Sequence, residues 1–515
     1  MTLLALLACN DGTDSPSIDS EVVVLEDTGP YWSDLVVEPD GLSIHPGAVL
    51  EVRVTATGPD GRADVDAELT VSGPASLEGR VLTVTEPGEV VLTATAYTLE
   101  ASATLMVRGD GLLRVTVLDD LGDPVFDARV MVDGVRTETN AEGLAELAVD
   151  DKPVTITVFG EDANLVPATF IGVQARDVTV PLRASEGRSP DSLVSGSVDF
   201  SASLPPEEGQ LGIALAGRTL VQHPLLLNAD DLLSEKREVE VIGLKLDVPG
   251  NLAVQDYDES YSVPAWSGVG GAWVLAGPLN VVDLLGATSD VGAAVELLAA
   301  HPEDFKYARV STVAPDSALN LKPTEPLDTL VRVTLPDLPD TAGVPLLVAL
   351  EPTAEGLAPS GLGTGDIQAA GSPSQVLAYV EDGGVGSGGA RVLQVASVID
   401  GAATIAPFQS FPVIESFDGA TRVFDVSTDP DAVYVRVGIE AEDGTLRDLY
   451  FRAGETAGVI PDEGPAMGYG KTRWDVLVLE RELGTWESVL GSGDLTDPEE
   501  ALRSTAALDE ERIGG

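Results

Sequence analysis

Cysteine is almost absent: the 515-residue chain has one, Cys9. That excludes a disulfide within the chain and any zinc site built from several thiolates. Histidine is nearly as scarce. His45, His223 and His301 are each followed by proline, none pairs with another at metal-ligand spacing, and no H-E-x-x-H occurs. Positive charge is thin, with 29 Lys and Arg against 85 Asp and Glu and a net charge of −56. Such a chain is repelled by phosphate backbones and anionic head groups, which argues against nucleic acid as a partner. No later stretch reaches the roughly 18 consecutive apolar residues that a membrane helix needs. No serine lies in G-x-S-x-G, so the nucleophile elbow of an α/β-hydrolase is missing as well.

What the chain does have is length and punctuation. It is too long for one core, and length alone suggests roughly three or four domains. Its hydrophobic share of 44% is that of globular protein, which argues against wholesale disorder. The 54 glycines and 34 prolines suit many short strands joined by turns. The expected fold class is all-β: tandem β-sandwich domains with a small helical insert in the C-terminal half.

Leu6-Leu7-Ala8-Cys9 ends a short apolar run and is followed by the polar, acidic Asn10-Asp11-Gly12-Thr13-Asp14-Ser15-Pro16. The stretch resembles a bacterial lipoprotein signal with its lipobox. The resemblance implies a signal over 1–9, lipid on Cys9, and a place in the cell envelope as an outer-membrane lipoprotein facing the surface or the periplasm. Eight residues precede Cys9 and none is Lys or Arg, so the signal reads as truncated at its start. Residues 10–33 are expected to be a flexible acidic linker with an r.m.s. span of about 25–30 Å.

Residues 34–108 alternate apolar and polar side chains, as in Leu50-Glu51-Val52-Arg53-Val54, with turns at Pro46-Gly47, Gly58-Pro59, Gly73-Pro74 and Pro87-Gly88. With Val36-Val37-Glu38-Pro39 and Glu86-Pro87-Gly88 leading into Thr93-Ala94-Thr95-Ala96, this resembles the bacterial Ig-like domains of group 2. The resemblance implies a spacer or adhesion module without catalytic residues. Residues 112–183 carry Pro124-Val125, Ala128 and Val130, the tight-turn pair Asp133-Gly134, and Thr139 to Gly143 before a strand. That order is similar to carboxypeptidase regulatory-like domains, which implies a transthyretin-like sandwich acting as an accessory module, not a peptidase.

The remaining chain shows no family resemblance. Residues 192–407 read as a β-rich domain with a helical insert near 279–301. The insert is marked by Val291, Ala294, Val295, Leu297 and Leu298 at helical spacing, and Leu279 to Leu285 is a candidate for a second short helix. Gly356 to Gly389 is rich in Gly, Ser and Pro and reads as a surface loop or boundary. Residues 408–490 suggest a further sandwich, and 491–515 a tail with a short helix from Asp497-Pro498. Gly384-Val385-Gly386-Ser387-Gly388-Gly389 fits G-x-G-x-x-G, but a strand is expected after it where phosphate binding needs a helix, so it reads as a glycine-rich turn.

One cluster carries chemistry worth following. Asp256, Tyr257, Asp258 and Tyr261, with Trp266 and Trp273 nearby, combine carboxylates and aromatics, which suit stacking on and hydrogen bonding to a sugar. The same residues suit a loop over a core. Asp60, Asp64 and Asp66, and Asp119, Asp120 and Asp123, offer oxygens to calcium but miss the twelve-residue loop pattern. No other cofactor is expected. The expectation is a lipid-anchored binding or structural protein with a protein or glycan ligand and no enzyme activity. The alternative is an exported carbohydrate-active or other hydrolytic enzyme with accessory β modules.

Overall fold

The computed structural model describes residues 32–513 apart from 59–60, 120–121, 161–164, 184–191, 203–205, 219–235, 242–243, 266–271, 281–296, 298–303, 311–317, 354–355, 384–389, 419–422, 430–431, 441–444, 455–457, 460–470, 480–484 and 493–503. Nearly all of its regular secondary structure is β-strand, arranged as sheets that pack face to face. Cys9, Trp266, His223, His301, the glycine run at 384–389 and the helix expected from Asp497 lie outside the described residues.

The first sandwich follows directly from alternation. Leu50, Val52, Val54 and Ala56 are buried while Glu51 is exposed, because successive side chains of a strand point to opposite faces. The antiparallel hairpin of Gly88–Ala96 and Leu99–Val107 faces the strands Val49–Glu51 and Val81–Val84 across a core of Leu50, Leu82, Val84, Leu92 and Leu105. Gly73 shows why a turn needs glycine: it sits at φ +95°, and a Cβ there would lie 2.1 Å from the Glu89 carbonyl oxygen.

The second module pairs Leu112–Asp119 with Leu144–Ala148 and Asp177–Leu182 on one side. Its other face is built from Arg129–Val132, Val135–Glu138, Val154–Phe159 and Ala168–Val173. The Thr139 to Gly143 stretch is a built turn. Thr139 Oγ1 accepts from the Ala128 N–H at 2.9 Å and donates to the Val125 carbonyl at 2.6 Å. Asn140 Oδ1 accepts from the N–H groups of Glu142 and Leu144, at 3.1 and 2.9 Å. Gly143 closes it at φ +71°, where a Cβ would lie 2.6 Å from the Val117 carbonyl oxygen.

This second face does not end with the module. Ala168–Phe170 pairs in parallel with Asp448–Tyr450, and a twelve-stranded sheet runs on from there. Beyond Ala168–Val173 come, in spatial order, Leu446–Arg452, Tyr434–Glu440, Lys471–Leu479, Ser504–Ile513, Arg391–Ser397, Gln375–Glu381, Leu346–Thr353 and Gly356–Gly363. Residues 408–490, expected as a further sandwich, thus put three strands into a sheet that also draws on 112–183 and 192–407. In the tail, Ser504–Ile513 is a strand.

The apolar run Leu346-Leu347-Val348-Ala349-Leu350 is explained by burial of both faces of its strand. Leu346, Val348 and Leu350 enter one core, and Leu347 and Ala349 enter another. The strand Ala272–Asn280 does the same, with Trp273, Leu275 and Leu279 on one side and Ala272, Val274 and Ala276 on the other. Two expectations are corrected here. Leu279 and Asn280 end a strand instead of starting a helix, because Leu279 aligns with Leu211 of the neighbouring strand and fills the core between sheets. Most of Gly356 to Gly389 is also strand, because Leu357, Ala358 and Leu362 and then Gln375 to Tyr379 pair against Leu346–Thr353 on both of its edges. Of the insert near 279–301, Leu297 is helical and packs on the core, and the other residues from 281 to 300 lie outside the described set. No helix among the described residues is long and apolar enough to cross a membrane, which says nothing of strands.

Thr139→Val, which leaves the buried Ala128 N–H without its acceptor, is expected to cost about 1–3 kcal/mol. Gly143→Ala is expected to cost about as much through left-handed strain and the contact with Val117. Urea unfolding of the full-length variants against the parent checks both, and no change in midpoint for either would refute this account of the turn.

Candidate functional site

Among the described residues, the carboxylates and aromatics near 256–273 do not converge. Val254 to Ser260 forms a compact turn in which the Val254 and Asp258 N–H groups bond each other's carbonyls, at 2.7 and 2.9 Å. Asp256 sits at its tip at φ +64°, and Tyr257 is exposed. Asp258 is committed to holding the turn. It pairs with Arg237 and accepts from the Ser260 N–H at 3.0 Å and the Ser260 hydroxyl at 2.5 Å. Burial by itself would raise the Asp258 carboxyl, but the Ser260 hydrogen bonds and Arg237 outweigh it and hold the group below the usual carboxylate range. Arg237 also donates to the carbonyls of Leu252 and Ser260, at 2.9 and 2.6 Å.

Tyr261 and Trp273 are core residues on different faces. Tyr261 packs with Val194, Val263 and Leu321 and donates from its hydroxyl to the Leu319 carbonyl at 2.8 Å. Burial pushes its phenol up to about 12. Trp273 lies in the opposite core, across from Gly217 on the neighbouring strand. A Cβ on Gly217 would meet the indole at 2.3 Å, so the glycine makes room for the ring. The alternation Ser260-Tyr261-Ser262-Val263 is the sequence signal that an inward-facing strand position, not a binding loop, begins at Tyr261.

The acidic loops are likewise engaged. Asp64 pairs with Arg80 at 2.6 Å and with Arg53 at 3.6 Å, and Asp66 lies 3.7 Å from Arg80. Asp119 Oδ1 accepts from the Asp123 N–H at 2.9 Å, while Asp60 and Asp120 lie outside the described residues. Among the described residues no group of three or more His, Cys, Asp or Glu side chains is placed to hold a metal ion.

The most heavily constructed polar region is where three parts of the chain meet. Gln174 of the second module reaches to Val49 of the first, accepting from its N–H at 2.8 Å and donating to its carbonyl at 2.7 Å. The backbones join as well, with the Arg176 N–H donating to the Ser43 carbonyl at 2.7 Å and Ile44 bridging to Ala175. Arg108 spans the joint to both carboxylate oxygens of Asp177, each at 3.2 Å. The Arg176 guanidinium is buried and donates to the carbonyls of Asp150 and Lys152 at 3.0 and 2.9 Å. Burial pushes it down to about 10. His45, also buried, uses Nδ1 to bond the Pro46 carbonyl at 2.7 Å.

The helix Trp486–Ser492 closes this junction from the C-terminal side. Thr485 and Ser488 cap its start reciprocally, with the Thr485 N–H donating to Ser488 Oγ at 2.7 Å and the Ser488 N–H to Thr485 Oγ1 at 3.3 Å. Trp486 is buried in the second module's core, Glu487 accepts from Gln174 at 3.3 Å, and Gly491 lies so close to Leu42 that a Cβ would be 2.1 Å from it.

A second clasp lies on the parallel strand pair. Arg183 grips Asp448 with two hydrogen bonds, Nε to Oδ2 at 2.6 Å and Nη2 to Oδ1 at 2.9 Å. Arg436 stands 3.7 Å from the same carboxylate, Arg447 donates to Thr169 at 3.2 Å, and Phe170 stacks on Tyr450 at 4.7 Å between centroids. Sequence reasoning missed all of these long-range partners. The available signal was Arg447-Asp448 and Arg436 standing inside otherwise apolar strands, since charged residues are almost never fully buried unless paired.

Asp448→Ala is expected to destabilise the protein by about 3–5 kcal/mol, the usual cost of leaving buried cations without their partner. Gln174→Ala, which leaves the Val49 backbone groups to water, is expected to cost about 1 kcal/mol and to raise hydrogen exchange at Val49. Chemical denaturation and exchange of the full-length variants check both, and a neutral Asp448→Ala would show that the clasp is incidental.

No protein-family model and no curated protein matches this chain. Among solved structures it is similar to domains 4–9 of surface layer protein SbsC, at 10% identity and TM-score 0.16, over 94% of this chain and 82% of that one. The Bacillus anthracis TIE protein matches at 10% identity and TM-score 0.14, over 70% of this chain and 69% of that one. A tetra-tandem repeat in the extending region of a large adhesion protein matches at 12% identity and TM-score 0.14, over 83% of this chain and 95% of that one. Scores this low establish neither family nor function.

Proposed function

We propose that the protein is a surface-exposed, lipid-anchored structural and binding protein of the cell envelope, with a role in adhesion or envelope organisation. Lipid on Cys9 holds it to the outer membrane, the first sandwich serves as an Ig-like spacer, and the second as an accessory regulatory-like module. The observation that supports this best is the double clasp on the second module. Gln174 and Arg108 fasten it to the first module, and Arg183 and Asp448 fasten it to the C-terminal strands. Modules fastened to one another in this way suit presentation of a surface to a protein or glycan ligand.

The protein made in its native host is expected to show a mature N-terminus at a lipidated Cys9 by mass spectrometry. An unmodified Met1 would refute the anchor. Pull-down with the whole protein, from envelope extract and on a glycan panel, is expected to recover a saturable ligand. Turnover of a polysaccharide with no ligand retained would replace the binding role with a hydrolytic one.

A further inference from the structure

The joint between the first and second modules contains a titratable group whose hydrogen bonding suits only one of its charge states. His45 belongs to the first module, 1% exposed, one residue from the Ile44 to Ala175 bridge that joins the modules. Its Nδ1 lies 2.7 Å from the Pro46 carbonyl oxygen. A carbonyl only accepts, so Nδ1 carries the hydrogen and the neutral ring leaves Nε2 unprotonated. Nε2 is fully buried and has no hydrogen-bond partner among the described residues. Protonation would put an N–H there with no acceptor in reach.

Charge points the same way. The charged groups that act on the ring both come from the second module: Arg176, which opposes a second cation, and Asp151, which favours one more weakly. Arg176 is itself 1% exposed and held by the carbonyls of Asp150 and Lys152, so it has no route by which to withdraw into solvent. Burial first, and then Arg176, depress the His45 imidazole below its ordinary value, against the Pro46 hydrogen bond and Asp151, which raise it.

We infer that the joint between the first two modules is an acid-sensitive hinge, closed while His45 is neutral and released when His45 takes up a proton. The sign follows from linkage. Opening the joint takes Arg176 away from the ring, so the imidazole of the open joint lies nearer the ordinary value of 6.5 than that of the closed joint. Below about pH 6.5 the open form binds the proton and the closed form does not, so closure weakens as pH falls. Above that pH the closed joint keeps its full stability. One proton taken up on opening corresponds to a change of up to about tenfold in the opening equilibrium per pH unit.

Hydrogen exchange of the full-length protein reads this directly, once intrinsic rates are corrected for pH. The reporters are the amides that bond across the joint, Arg176 to Ser43 and Val49 to Gln174. Between pH 7 and pH 5.5 their protection is expected to fall by up to about tenfold per unit. Val158, inside the second module, should hold its protection, which separates hinge opening from global unfolding. His45→Gln and His45→Leu are expected to abolish the fall. If either substitution loosens the joint at every pH, the variant with His223→Asn and His301→Asn keeps the test intact, because the fall must persist in it. A flat wild-type profile, an unchanged fall in both His45 variants, or loss of the fall in the His223/His301 variant would each overturn the hinge.

Discussion

Burying a carboxylate costs several kcal/mol unless cations and donors surround it, and Asp448, at 1% side-chain exposure, meets that condition with arginines from two distant parts of the sequence. Arg183 comes from just past the last strand of the second module and Arg436 from the adjacent C-terminal strand. The parallel pairing of Ala168–Phe170 with Asp448–Tyr450 brings the groups into register, and Phe170 stacks on Tyr450 in the same pairing. The largest sheet of the molecule therefore depends on an electrostatic match between chain segments more than 250 residues apart.

The same logic governs the other end of the second module at smaller scale. There a Gln174 amide meets the Val49 backbone, the Arg176 N–H donates to the Ser43 carbonyl, Arg108 pairs with Asp177, and a helix fills the core with Trp486 while Glu487 meets Gln174. Such a joint is specific in geometry but modest in energy, since Asp177 is far more exposed than Asp448 and each neutral hydrogen bond contributes about 1 kcal/mol net. The module is thus held firmly on the C-terminal side and more lightly on the N-terminal side. A perturbation as small as one misplaced proton matters only on the lighter side.

Much of the architecture was legible in the residues. Alternation at Leu50 to Ala56 marks a half-buried strand, and the Thr139 to Gly143 motif marks a turn whose hydroxyl, amide and glycine each have a defined task. Glycine content misled at Gly356 to Gly389. Gly361 sits in a strand so close to the next one that a Cβ would lie 2.3 Å from the Gln368 carbonyl, so close approach rather than turning explains it. Of the aromatic and carboxylate residues, Tyr261 and Trp273 stand on different strands and enter separate cores, while Asp258 turns back to Arg237. The clasps were invisible because pairs such as Gln174 with Val49 or Arg183 with Asp448 leave no periodic trace.

The strand Ser504–Ile513 sits inside the large sheet, with Ser504–Ala507 paired to Arg391–Gln394 on one side and Thr505–Ile513 paired to Lys471–Leu479 on the other. It comes after every other described element in the chain, yet it bridges two blocks of strands that otherwise end in bare edges. During synthesis the sheet stays split until these residues emerge, and the strands that come to flank them, Arg391–Ser397 and Lys471–Leu479, each keep an unpaired edge of the kind that recruits other strands. A chain cut short before residue 504 carries that exposure permanently.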